Sequence, residues 1–353
     1  MTLAQFDTLL VSSSPQPNIL INGNFDVWQE QGTASLTYNT STAKYVADIW
    51  FWQSDTNGNW TAIQSTDAPI GSLYSCKFVN ATQNKQMLVG QFVENAEAAK
   101  YAGKYVSVSF KAKTTTAKEI SNLRCAVLSY TGTADTALSS TNKPVTTWAG
   151  NGTNPTWTTG WTMENSPVNL ALTTSWQTFN VGNVYLDTSG LKNIAVVIWT
   201  DDTTISQNDE FYVGQVKLED SAVCTGFVQA PLKVEFECTM MYLRKYTFGS
   251  DSDIFVSIYA TYVGTGSIYF AFPFAMRNTP TITFGGSHNT DYVVYNGNSA
   301  VTGTMTWVTR KGYAGGTTVV PTLILSGGSY TANVPCSIIL KTTSGYMTFD
   351  ARM

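Results

Sequence analysis

The sequence predicts an all-β protein, two β-sandwich (jelly-roll-like) domains joined by a short amphipathic helix. Three observations predict it. Strand-length runs alternate with Gly, Asn, Thr and Asp turn clusters across residues 60–218, with scarcely any helical period among them. One stretch, 231–245, carries apolar residues at helical spacing. Beyond it a second series of strand-like runs starts at Ile254. With 353 residues there is room for two domains, each with its own core. The expected boundaries are an arm and linker over 1–17, a first sandwich over 18–222, a connector and helix over 223–250, and a smaller sandwich over 251–353.

In chain order, the arm holds one apolar patch at 6–11, followed by a Ser- and Pro-rich linker at 12–17. Such a stub either frays or docks on a neighbouring subunit. Over 18–32, Ile19, Ile21 and Phe25 alternate with polar positions around Asn22-Gly23-Asn24, a turn or bulge signal. The clearest strand runs are 60–65, 74–79, 86–92, 104–112, 124–130, 176–181, 194–199 and 211–218. In 104–112, Val106, Val108, Phe110 and Ala112 alternate with Tyr105, Ser107, Ser109 and Lys111, as a half-buried strand requires. In 211–218 the same period sets Tyr212, Gly214, Val216 and Leu218 on one face. Trp28, Trp50 and Trp176 stand in strand contexts and are expected in the core.

In the helical stretch, Leu232, Phe236, Met240 and Leu243 fall on one face. Pro231 suits the first position; Glu235 and Glu237 early, with Arg244 and Lys245 late, complement the macrodipole. Later strands are expected at 267–274, 281–284, 292–295, 304–309, 322–326, 336–342 and 346–351.

Charged residues make up 12% of the chain, about half the usual share, and the net charge is −4 without a basic stripe. Nucleic-acid binding therefore has no electrostatic footprint. No apolar run is long enough for membrane insertion, and the start, MTLAQFDTLL, lacks the basic and apolar regions of a signal peptide. The five cysteines are scattered without a C-x-x-C pair, so small buried thiols in a reducing cytoplasm are expected.

Nothing in the sequence points to catalysis. The one histidine, His288, has no nucleophile motif beside it. The carboxylate pairs Asp201-Asp202, Asp209-Glu210 and Glu219-Asp220 are sequence neighbours at turns or strand ends, where side chains point apart rather than across a glycosidic bond. Asp251 and Asp253 fit turn capping. The stretch that stands out is 146–161, TTWAGNGTNPTWTTGW, which cannot be one continuous strand. Its Trp148, Trp157 and Trp161 could stack on sugar rings while Asn151 and Asn154 read hydroxyls. They could equally pack against another subunit, or fold back on their own domain.

Several fragments carry a family resemblance. They are NILINGNFDVWQ (18–29) with YVADIW (45–50), AGKYVSVSFKAK (102–113), LTTSWQTF (172–179), QVKLE (215–219), the F-x-x-x-P of 227–231, Cys238 with Tyr242, and FPFAMRNTPTIT (272–283). Together they resemble a group of bacteriophage tail-fibre and related virion proteins in which a carbohydrate-binding-module-like jelly roll precedes a C-terminal β-domain. One position departs: Ile49 stands where those proteins usually carry Arg. The resemblance implies a virion protein made in the host cytoplasm, a homotrimer, and contact with other virion proteins. It also implies host attachment through receptor binding of surface polysaccharide, without cleavage. The alternative role is structural, as a head decoration protein, head fibre or tail adaptor. No cofactor is expected apart from a structural calcium, which such jelly rolls hold through the carboxylate after N-G-x-F, here Asp26. Gly214 replaces the expected second ligand, leaving Asp209 or Glu210 as substitutes.

Overall fold

The computed structural model describes residues 16–29, 36–39, 43–55, 58–82, 84–115, 120–136, 143–187, 189–247, 254–262, 265–269, 276–277, 280–285, 292–297, 299–300, 306–310, 322–326, 335–340 and 346–352. The chain is all-β and forms two compact units that divide between Phe236 and Glu237.

In the first unit two antiparallel sheets enclose the core as a jelly-roll β-sandwich. One is six-stranded, in the order β1 (Leu36–Asn39), β4 (Asn59–Ser65), β5 (Ser75–Asn80), β15 (Glu210–Glu219), β7 (Tyr105–Thr114), β13 (Gln177–Tyr185). The other runs β11 (Trp161–Met163), β8 (Asn122–Tyr130), β14 (Asn193–Thr200), β6 (Met87–Val93), β3 (Trp50–Ser54), β2 (Lys44–Tyr45), with β12 (Leu170–Ala171) also on β8. β9 (Val145–Thr147) and β10 (Thr156–Trp157) pair only with each other. Helical turns are confined to α1 (Asn95–Ala98), a 3-10 turn after it, and α2 (Leu232–Thr239) among the described residues. Trp50, Trp52, Trp60, Phe78, Phe110 and Phe211 fill the space between the sheets. Each such ring contributes about 1.5–3 kcal/mol by leaving water.

The 18–29 segment is a loop rather than a strand, and its motif residues close it. Asn22 takes a left-handed φ of +56°, donates to the carbonyls of Val27 and Asp48, and accepts the Val27 N–H. The Trp50 indole N–H reaches the Asn22 carbonyl, and Asp48 binds Gln29 through both carboxylate oxygens. Gly23 is obligatory here: a Cβ would lie 2.2 Å from the Val216 carbonyl oxygen. Ile49, where the tail-fibre pattern has Arg, sits at φ +68°, a strained conformation for a β-branched residue.

β15 departs from simple alternation. Gln215 adopts φ +50° and the register shifts between Gly214 and Lys217. Phe211 and Val213 therefore face the core before the bulge, Val216 and Leu218 after it. The expected grouping of Tyr212 and Gly214 with Val216 and Leu218 is corrected accordingly. Beyond the bulge, Lys217 and Glu219 form a fully buried pair at 2.9 Å, capped by Thr225 and the Gly226 carbonyl.

α2 is shorter than the sequence spacing suggests. It ends at Thr239, and Leu243, Arg244 and Lys245 belong to β16 (Leu243–Thr247), paired in register with β25 (Tyr346–Asp350). Sheet pairing overrides the helical period there, so Arg244 and Lys245 do not close a helix. Nor is the apolar face a buried stripe, because Leu232, Val234 and Phe236 are all exposed.

The second unit holds two antiparallel sheets. β25 lies between β16 and β19 (Thr281–Gly285). The seven-stranded sheet is ordered β21 (Ser299–Ala300), β20 (Tyr292–Asn296), β24 (Pro335–Leu340), β17 (Ile254–Tyr262), β18 (Thr265–Tyr269), β23 (Thr322–Ser326), β22 (Thr306–Arg310). Arg277 stitches this unit's ends, its N–H on the Met241 carbonyl and its guanidinium on the Ala351 carbonyl.

Candidate functional site

In the first unit, the sheet that runs from β11 through β8, β14, β6 and β3 to β2 is apolar on both faces. Trp50, Val89, Val127 and Val196 point inward, while Phe51, Leu88, Leu128, Val197 and Trp199 form a second cluster on the outside. Such a face must be covered, and the Trp-rich segment covers it. Trp161 is buried, tilted on Tyr130 at 4.7 Å and on Phe92 at 5.4 Å between ring centroids. Trp157 meets Trp199 edge-on at 5.6 Å. Val145 is sewn to the sheet by the buried Gln53 amide, which accepts its N–H at 3.0 Å and donates to its carbonyl at 2.7 Å.

The tip of the segment is clamped as firmly. Asn151, at φ +52°, gives its backbone N–H to the Asp201 carbonyl and its amide to the Thr203 hydroxyl, both at 2.8 Å. The Gly152 N–H donates to the Asp201 carboxylate at 2.8 Å, and Gln86 donates to the Ala149 carbonyl. Asp201 is itself buried against Arg124. Asn151 thus holds the loop. Asn154 is half-buried, and its Oδ1 meets no donor among the described residues.

Trp148 also packs in part on the outer cluster, and of the three tryptophans it is the one that lines an open site. It stands with Thr146, Thr147, Asp55, Asn84 and Thr203 around a cleft of about 340 Å³. Lys85 lies 3.4 Å from Asp55. The arrangement sets one indole beside hydroxyl, amide and carboxylate groups. It can stack on the C–H face of a sugar ring while hydrogen-bonding its hydroxyls. Asp55 is the one carboxylate lining this cleft among the described residues, whereas glycoside hydrolysis needs two. The strand-like runs MLV (87–89) and IAVVIW (194–199) carried the missed signal, since continuous apolar runs mean burial on both faces.

The two carboxylates expected to hold calcium are each bonded to a different loop. The Asp26 carbonyl accepts from Gln64, and the Asp209 carbonyl from the Asn80 N–H. Because Trp60 pairs with Asn80, those partners lie four residues apart along β4, about 13 Å at the rise of a strand. Asp26 instead accepts from the Gln229 amide at 3.0 Å, and Asp209 from the Ser206 N–H at 3.0 Å. Glu210 is paired with Lys77 at 2.5 Å. No group of three or more His, Cys, Asp or Glu gathers among the described residues. Trp176, expected in the core, lies on the outer face, edge-on to Tyr212 at 6.2 Å. The 1–15 arm, His288, Asp251 and Asp253 lie outside the described residues. Cys76 and Cys125 are buried and Cys224 and Cys238 half-buried, all four as free thiols. No described helix is long and apolar enough to cross a membrane.

No protein-family model and no curated protein matches the sequence. Solved structures do. One is the carbohydrate-binding module TmCBM61, in complex with β-1,4-galactotriose, at 13% identity over 58% of this chain and 99% of that one, TM-score 0.33. Another is the CBM22-1 xylan-binding domain of Paenibacillus barcinonensis Xyn10C, at 8% identity over 60% and 99%, TM-score 0.31. A third is the enzymatically active domain of bacteriophage CBA120 tailspike protein 4, at 10% identity, TM-score 0.30, with 57% of this chain matching 21% of that one.

Proposed function

We propose that the protein is a non-catalytic glycan-binding protein of a bacteriophage virion, a tail-fibre or tail-tip receptor-binding protein. One observation carries the glycan reading: Trp148, though it packs in part on the same outer cluster as Trp157, also lines an open, hydroxyl- and amide-lined cleft that neither Trp157 nor Trp161 lines. That Asp55 is the one carboxylate lining the cleft among the described residues favours adhesion over hydrolysis. The virion assignment rests on the sequence fragments that resemble tail-fibre proteins across both units.

The test is binding of the purified chain to host cells and extracted surface polysaccharide. Trp148→Ala should weaken binding about tenfold or more in a variant whose fold is confirmed intact by circular dichroism, with a smaller loss of stability than Trp161→Ala. Trp161→Ala serves as the contrast: it should cost about 3–5 kcal/mol of stability, because it empties a packed site. Wild-type protein that binds no glycan, or a Trp148→Ala variant that binds as well, would sink the proposal.

A structural virion role, or a homotrimer contact, is favoured by a different observation. Val223, Val228 and Leu232 expose apolar side chains within ten residues of one another. Tight association with empty virus particles, without glycan binding, would favour that reading.

A further inference from the structure

We propose that the outer face of the six-stranded sheet, remote in sequence from the Trp148 cleft, holds a second groove that takes an anionic sugar unit through Lys111. The sugar unit would carry a carboxylate or a phosphate. The groove, about 390 Å³, runs over Ser109, Lys111, Thr178 and Gln215, with Ile70 and Phe227 on its sides.

The charge pattern of this face singles out Lys111. The other lysines of the face are neutralised: Lys77 by Glu210 at 2.5 Å, Lys113 by Asp67, and Lys217 by Glu219 at 2.9 Å. Lys111 makes no ion pair or side-chain hydrogen bond among the described residues, and its ladder neighbours are Gly214 and Thr178, neither of them acidic. One position along the same face, Ser109 is only 5% exposed, and its hydroxyl has no hydrogen-bond partner among the described residues. A half-buried lysine and a serine of low exposure, neither of them paired with another protein group among the described residues and both lining one concavity, are completed by an anion that carries its own hydroxyls.

The walls are built to stay open. Gly214 leaves the floor bare beside Lys111, where a Cβ would approach the Pro69 ring to 3.2 Å. The Gln215 amide, presented by the bulge, donates to the Ile70 carbonyl at 3.0 Å and the Ser72 hydroxyl at 2.9 Å, which fixes the rim. Ile70, 96% exposed, and the partly exposed Phe227 offer apolar surface to a ring's C–H face.

This inference shares the glycan reading above but none of its residues, so the two fail separately. The full chain is titrated with polygalacturonate, with a hexose-phosphate polymer and with neutral galactan, at about 50 and about 300 mM NaCl. Expected is salt-sensitive binding to one or both anionic polymers. Lys111→Ala should weaken it about tenfold, Lys111→Arg should retain it, and Trp148→Ala should leave it unchanged. The polymer that binds identifies the anion. No binding to either anionic polymer overturns the inference, as does binding that survives in Lys111→Ala or is lost in Trp148→Ala. Loss of galactan binding in Trp148→Ala alone bears only on the first cleft.

Discussion

Asp26 and Glu235 are two carboxyls of the first unit whose folded environments disfavour their charge. Burial pushes the Asp26 carboxyl above its ordinary range, against the opposing pull of its Gln229 hydrogen bond. Burial likewise raises Glu235, with the Asn22 N–H at 2.6 Å pulling it down and the Asp26 charge pushing it further up. A carboxyl with a raised folded pKa binds its proton more tightly folded than unfolded. Its contribution to stability therefore falls as pH climbs from the ordinary carboxylate range through the raised value. Glu235→Gln keeps an acceptor for Asn22 and removes the charge. It should melt above wild type near neutral pH, with the difference shrinking as pH falls below the raised value. A difference that does not change with pH would contradict this. Glu210 moves the other way: burial alone would raise it, but hydrogen bonds from Lys77, Thr115 and Tyr212 together with the Lys77 charge outweigh burial and lower it, so its contribution is lost only in more acid solution. Some residue roles were legible in sequence and others were not. The N-G-x-F motif signalled a turn, which Asn22 and Gly23 make. Ile49 at a positive φ gave no signal: it sits in a tight turn closed by the Trp50 N–H on the Ala47 carbonyl and the Val46 N–H on the Trp50 carbonyl, and a β-branched residue is not one that announces such a turn.

At the scale of elements, one bulge decides which way β15 faces. Deleting Gln215 would restore simple alternation. It would then turn either the Phe211–Val213 half or the Val216–Leu218 half away from the core. The expected outcome is loss of the cooperative first-unit transition in circular dichroism; a variant that melts like wild type would refute the role of the bulge. Strand positions were readable because alternation is local: all but the first residue of 104–112 lies in β7, and 211–218 lies within β15. Facing beyond Gly214 was not readable, because a single left-handed residue inverts the parity without changing composition. The end of α2 was hidden for a related reason. Leu243 fits a helical face and a strand equally well, and its pairing with Asp350, more than a hundred residues on, settles the matter. The Trp-rich segment was legible as an insertion. Its use as a cover was not, since that depends on the outward-facing Phe51, Leu88 and Val197 that it shields.

At the scale of the whole molecule, two compact units with separate sheets should unfold as two calorimetric transitions. Glu235→Gln and Trp161→Ala should move only the transition that belongs to the first unit. A single transition that both variants shift as a whole would show instead that the units unfold together. The all-β architecture was open to view in composition and turn spacing, and the division near the α2 stretch in the restart of strand runs. What no local pattern revealed is the order in which strands join. β15, the last strand of the first unit, lies between β5 and β7; β25, the last of the second, lies between β16 and β19. While the ribosome is still making either unit, its sheet lacks an inner strand and the neighbours of that strand have no partner. The six-stranded sheet can close only after residue 219 has emerged, and the sheet of β16 and β19 only after residue 350. Each unit is thus committed to folding late in its own synthesis, with its final segment acting as the keystone.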